Sequence, residues 1–456
     1  MTLNPSSDAP ERGWNLWRVT VLASCTAAAV GSVVLVIFAR QAFGSWPWEG
    51  GNYSDSLKWY DITRSTIASV GLLGLGGGAL IAYRRQRTTE ALYALERSRR
   101  LDATTADLHV RYMRAAEQLG SEQAAVRLAG VYTMGALADD WLRLGSPVQQ
   151  QVCIDVLCAY LRMPYDPLHP GSEVNRERQV RHTIMTVIRD HLQDPSSSDT
   201  WCHCDFDFTG VTFDGGSFNG ARFIDGTVSF NGSQFKKDTV FFEKTEFRGP
   251  KTTFYDLRFQ GGDASFYEAR FVDGSLNFGG LEITSGRLSF YGAQFINMDV
   301  EFEGSRLNGG RLSFRSADVQ GGTVNLHQAS ILGCEVAFDN SSLVGGRVRF
   351  DDVTLASGRI SFRSTSFSGG QVLFTNTSLA GGNLSFDGTV FNCGLLDLSG
   401  IRLAGGHVEF LNIQGSSHSL VLLQRGMMSA EKGVAGPWDS GQIPSWVRIV
   451  EHDERE

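Results

Sequence analysis

Residues 266–314 read FYEARFVDGSLNFGGLEITSGRLSFYGAQFINMDVEFEGSRLNGGRLSF, and within them every twelfth position is phenylalanine: Phe266, Phe278, Phe290, Phe302 and Phe314. The column runs without a break from Phe230 to Phe410, with leucine at Leu326 and Leu398. A second apolar column lies five residues further on, from Phe235 through Phe259, Ile283, Leu307 and Leu355 to Leu403. A third sits two residues before the first and includes Val240, Leu276, Leu288, Val300, Leu312 and Val348. The unit is V-x-F-x-x-A-x-F-x-G-G-x. Its period is neither that of a helix nor that of a hairpin. A strict short repeat over about 200 residues specifies a solenoid, in which each rung buries its apolar face only against its neighbours.

The small residue three places after each first-column Phe sets the number of sides. At alternate repeats it is Ala269, Ala293, Ala317, Ser341, Thr365 and Thr389, all small; between them come Leu257, Leu281, Ser305, Ala329, Val353, Thr377 and Ile401. Alternation implies a 24-residue rung of four sides. The 35 central positions, at four per rung, give about nine rungs and a rod roughly 40 Å tall. Gly pairs such as Gly261-Gly262, Gly321-Gly322 and Gly369-Gly370 fall at one phase, where a corner is expected to need positive φ. No helix follows them, which excludes a phosphate cradle. Strand side chains alternate, so the residue after each first-column Phe points outward. With a 24-residue rung these form a ladder, Tyr267, Tyr291, Arg315, Asp339, Arg363, Asp387, with a cation–π contact expected between Tyr291 and Arg315. A 12-residue rung would instead set Arg315 beside Glu303 and His327.

The start of the repeat, DFDFTGVTFDGGSFNGARF over 205–223, spaces Phe208, Phe213, Phe218 and Phe223 by five. It resembles the pentapeptide-repeat pattern A-x-(Leu/Phe)-x-x, and the remainder resembles the same repeat with two residues inserted after every second pentapeptide. That resemblance implies a right-handed, quadrilateral β-solenoid with no general catalytic residues. The stretch RYMRAAEQLGSEQAAVRLAGVYTMGALADDW and the two helical segments after it resemble the module that precedes such repeats in actinobacterial membrane proteins.

Working outward, the chain has 456 residues, 42% apolar and 20% charged, with net charge −8. This excludes a disordered chain, a nucleic-acid-binding polycation and an acidic tail. Seven scattered Cys form no disulfide framework and suit a reducing compartment. Residues 19–39 and 65–83 are uncharged runs of membrane-spanning length. The first is too long for the core of a cleaved leader and lacks a small-x-small site. Arg12 and Arg18 precede it. Arg84, Arg85 and Arg87, then Arg97, Arg99 and Arg100, follow the second. The connecting segment balances Arg40, Lys58 and Arg64 against Glu49, Asp55 and Asp61. By the positive-inside rule both termini and the solenoid are expected in the cytoplasm. Trp46, Trp48, Tyr53, Trp59 and Tyr60 read as outer interfacial anchors, and Trp14 and Trp17 as inner ones. Ala27 with Gly31, and Gly74 with Gly78, give small faces for a tight hairpin or a homodimer contact. The expected organisation is a cytoplasmic tail (1–18), transmembrane helix 1 (19–39), an external loop (40–64), transmembrane helix 2 (65–83), a helical linker and module (84–200), the solenoid (201–415) and a C-terminal tail (416–456).

Within 84–200, one long helix is expected from Arg84 to about Ala116, then helices over 122–143, 147–162 and 174–193. The module is expected to cover one end of the solenoid, and the tail with Trp438 and Trp446 the other. Chemistry-bearing candidates are few. Cys202-His203-Cys204 lacks a partner cluster for a metal. His182 and His191 lie nine apart, not the i, i+4 of a metal pair, and read as helix-surface residues, as His327 and His407 read as solenoid-surface ones. No catalytic, cofactor-binding or metal residues are assigned, and no cofactor or small-molecule substrate is expected. The sequence therefore points to a membrane-anchored, non-enzymatic scaffold for an unknown cytoplasmic protein, with homo-oligomerisation open. The alternative is a DNA-mimicking modulator of a topoisomerase, an activity of soluble quinolone-resistance members of the family. A mimic needs a strongly acidic face, whereas residues 201–415 hold 23 acidic and 17 basic side chains, and nucleic acid itself is not an expected partner.

Overall fold

The structure, a computed structural model, describes residues 16–49, 54–169, 171–249, 252–424, 434–435 and 443–450. Arg12, Trp14, Tyr53 and Trp438 lie outside the described residues, as do the side chains of Trp17 and Arg18. The chain divides into two compact units, Met1–Thr105 and Ala106–Glu456.

The first unit holds α1 (Leu16–Phe43) and most of α2 (Ser56–Leu119). Both helices are long and apolar enough to cross a membrane. Asp55 caps α2, accepting from the backbone N–H of Leu57 at 3.1 Å. No proline follows Pro47 until Pro147, so nothing breaks α2 at Arg84, and the two helices expected either side of it are one. The close helix contact uses one of the two expected small faces. A Cβ on Gly31 would sit 3.8 Å from Val70, whereas nothing lies within 4 Å of one on Gly74 or Gly78. In the connecting segment Arg40 lies over the Trp46 ring at 4.0 Å and Trp46 stacks on Trp48.

In the second unit α3 (Ala124–Arg143), α4 (Pro147–Arg162) and α5 (Ser172–His191) match the expected helices to within two residues at each end. Val131, Met134, Leu137, Ile154, Leu157, Val180, Ile184 and Ile188 are buried between them. They belong to one apolar cluster continuous with the solenoid's Phe columns.

The solenoid has about nine turns of stacked parallel strands. Arg258 pairs with Glu282 and Phe271 with Phe295, each two repeat units further along the chain, so the four-sided rung holds. Side 1 carries Phe230, Phe254 and Phe278; side 2, Phe235 and Phe259; side 3, Phe242, Phe266 and Phe290; side 4, Phe247 and Phe271. Rings stack between rungs at 4.6 Å for Phe254 and Phe278, and sides 1 and 3 interlock edge-on, as Phe302 does with Phe314 at 5.9 Å.

The corners are of two kinds. The five-residue step crosses a tight turn in which the residue two after each first-column Phe has positive φ, with φ 55 at Lys244, 56 at Asp256, 52 at Glu268 and 57 at Asn340. The seven-residue step crosses an open corner. There eight-residue strands such as Arg258–Ser265 run straight through and join the sides pairwise into two sheets. The Gly pairs lie at these open corners, and their reading is only half right. Gly322 has φ +70, but a Cβ there would also lie 2.2 Å from the carbonyl oxygen of Met298, so close stacking on the rung before demands glycine as much as φ does. Buried hydroxyls in the small-residue column donate to the backbone, as Thr365 does to the carbonyl of Phe338 at 2.7 Å. The ladder continues past residue 415: Ser419–Gln424 pairs with Val390–Asp397, and Val447–Val450 pairs with Ser419–Gln424 in turn. Trp446 reaches Phe391 there, ring centroids 6.3 Å apart.

Candidate functional site

The first rung of a solenoid has an open edge, and its buried backbone groups need partners. Here the helical module supplies them. The Gln151 amide donates to the carbonyl of Asp205 at 2.8 Å and accepts from its N–H at 2.9 Å, standing in for a neighbouring strand. Arg162 donates to the carbonyl of Asp207, Arg181 to that of Thr212, Arg178 to that of Asp214 and Gln193 to that of Asn219, while Arg181 also bonds the carbonyl of Leu161 within the module. The rung itself is shaped for this. Gly216 pairs with Val240 and Arg222 with Glu246, a full rung on, whereas Phe206 pairs with Val228 and Thr212 with Gln234, two positions short of one. The two residues inserted at every later open corner are missing after Phe213. In the space they leave, Met185 of α5 lies over Gly216, where a Cβ would sit 2.2 Å from its Cε.

Two polar clusters fasten this cap. Asp214, almost fully buried, accepts from the Tyr165 hydroxyl at 2.6 Å, faces His182 Nε2 at 3.1 Å and lies 3.3 Å from Arg178. Burial alone would raise its carboxyl, but hydrogen bonds from His182 and Tyr165 hold it below the usual range. Arg181, 2% exposed, lies over the Tyr165 ring at 4.5 Å. In the second cluster Asp139 accepts from Trp201 Nε1 at 3.0 Å and pairs with His191 Nε2 at 3.1 Å, while His191 Nδ1 faces the carbonyl of Val187 at 2.7 Å. Both ring nitrogens of His191 thus face acceptors, an arrangement that favours the protonated ring. Burial opposes that charge, and Asp139 and Val187 outweigh it, so the His191 pKa is raised. His182 and His191 are therefore half-buried fasteners, not the surface residues expected.

The other candidates stay apart. Cys202 is buried, burial pushes the Cys204 thiol up to about 12, and His203 faces Asp225. Among the described residues no group of three or more His, Cys, Asp or Glu is placed to hold a metal. His327 lies 3.5 Å from Asp352 and His407 3.6 Å from Glu409, each partly exposed. A cleft of about 620 Å³ in the module is lined by Arg127, Tyr160 and Glu177, which are joined to one another by an ion pair and a hydrogen bond.

Side 3 of the solenoid carries an outward ladder. The N–H groups of Gly292, Ser316, Asn340, Ser364 and Gly388 donate to the carbonyls of Arg315, Asp339, Arg363, Asp387 and Leu411, one rung on. Tyr267 and Tyr291 stack at 5.7 Å. Arg315 Nε reaches Asp339 at 3.1 Å and Arg363 reaches Asp387 at 3.4 Å. The cation–π contact expected between Tyr291 and Arg315 does not form, because the guanidinium turns to Asp339 and Glu335. Tyr291 is left 46% exposed and Leu411 48%. The cap residues escaped the sequence reading; their one signal was the unbroken five-residue spacing of the first turn. The chain matches no family model, no curated protein and no solved structure.

Proposed function

We propose that the protein is a membrane-anchored, non-enzymatic scaffold of the pentapeptide-repeat type that presents side 3 of its solenoid to a protein partner in the cytoplasm. One observation carries this reading: a face of stacked strands bears an ordered ladder in which exposed tyrosine and arginine, the residue types enriched at protein interfaces, are held in place by aspartates beside them. The two long apolar helices and the basic residues after the second support the anchor and its orientation. The alternation of charge along the ladder does not suit DNA mimicry, which needs a continuous anionic face. The test is photo-crosslinking from Tyr267 and Arg363 in intact cells, followed by recovery of the membrane-embedded protein. Adducts from the ladder, and none from probes on side 1 at Asn231 and Thr375, are expected. Equal labelling of both faces would remove the ladder from the proposal.

A further inference from the structure

We infer that side 3 is a two-fold interface with a second copy of this chain, the solenoids antiparallel and face to face, with the axis between the rungs of Asp339 and Arg363. Symmetry decides the register. An antiparallel two-fold axis lying across the face maps each column of outward side chains onto itself. With the axis at that point, Arg315 meets Asp387 of the other copy, and Arg363 meets its Asp339, a buried carboxylate whose Oδ1 accepts from Ser361 and the Arg363 N–H of its own chain. Each carboxylate then lies between two guanidinium groups, since Arg315–Asp339 and Arg363–Asp387 already pair within one chain.

Two further features agree with this register and were not used to choose it. Tyr291 and Leu411, exposed side chains that flank the charged rungs of the ladder on either side, are brought onto one another. In the neighbouring outward column, where Arg311 pairs with Glu335 and Glu335 with Arg359 in the strand ladder, Glu335 meets Arg359 of the other copy. No two carboxylates and no two arginines coincide in either column. A shift of one rung destroys the match. One direction sets Arg315 against Arg363 and Asp339 against itself; the other sets Asp339 against Asp387 and Arg363 against itself. Between the two columns Ser313, Ala337, Ser361 and Ser385 are small and buried, so nothing bulky holds the faces apart.

The matched stretch from Tyr291 to Leu411 spans five 24-residue rungs, about 24 Å. That is a small face against the ~800 Å² per partner of a stable complex. Association is therefore weak in free solution and relies on copies confined to one bilayer, where tethering raises the effective concentration. In this respect the inference rests on the membrane-anchored reading, and it names a second copy as the occupant of the same face.

The test uses the full chain in its membrane, with Cys25 and Cys393 changed to Ser. Tyr291→Cys and Leu411→Cys lie five rungs apart within a chain and cannot bridge internally, but face each other across the two-fold axis. The double variant is expected to give a covalent dimer on mild oxidation, and each single variant a monomer. Arg363→Asp, which sets two carboxylates against each other across the axis, is expected to lower the dimer several-fold in the double-cysteine background, and Arg363→Lys to keep it. Absence of dimer in the double variant, or equal dimer in a single one, overturns the proposal. A foreign protein crosslinked to the ladder without this dimer would sink the two-fold interface yet leave the scaffold reading intact.

Discussion

Truncating Phe302 or Phe350 to alanine removes a ring that touches rings on two sides of the rod. Phe302 stacks on Phe278 at 5.0 Å and Phe350 on Phe374 at 4.6 Å, and both are fully buried. Each change is expected to cost about 3–5 kcal/mol, read as a lowered melting temperature of the intact protein. The polar fasteners predict a pH profile. The His191 pKa is raised in the folded protein, so its contribution is complete below the unfolded value of about 6.5 and is lost as pH rises through the folded value. Asp214 is depressed, so its contribution is present above the ordinary aspartate value and lost as pH falls through the folded one. Stability is therefore expected to peak on the mildly acidic side of neutrality. His191→Gln should flatten the alkaline limb alone, and a limb unchanged by that substitution would count against a raised His191 pKa.

At the scale of elements the cap is the vulnerable joint. Arg181→Met keeps the bulk of the side chain but leaves the carbonyls of Leu161 and Thr212 without their donor, at about 1–3 kcal/mol. The amides of Phe206–Phe223 are expected to exchange faster with solvent while those beyond Phe290 keep their protection, as hydrogen-exchange mass spectrometry reads directly. The sequence made the Phe columns, the rung length and Arg315 beside Asp339 legible, because an interior that repeats every rung must repeat its residues. It did not make the cap legible. Gln151, Arg178 and Gln193 resemble any solvated helix face, and what singles them out is the backbone edge opposite, which belongs to another element. The tight turn was missed for a related reason. Its positive-φ position is filled by Lys244, Glu268 and Gln328 as well as by glycine, because the two-sided ladder imposes a conformation the residue itself does not favour.

For the molecule as a whole, the proposed membrane anchor and its orientation are open to a direct check. A reporter active only in the cytoplasm, fused after Glu456, is expected to work, and one active only outside to stay silent; the reverse pattern would place the solenoid on the other side of the membrane. The stacking of the rod also bears on how it is made. Each rung bonds to the rung that comes just before it in the chain, and the first bonds to helices that precede it. Each rung's template has therefore left the ribosome before the rung itself is complete. Translation at ~5–20 residues per second supplies one rung every few seconds, far slower than strand docking on the microsecond scale. The rod can lengthen in step with the ribosome, one rung at a time, with only the newest edge bare at any moment. A chain forced to refold from full length loses that order and exposes every edge at once, so refolding from denaturant should aggregate where synthesis does not.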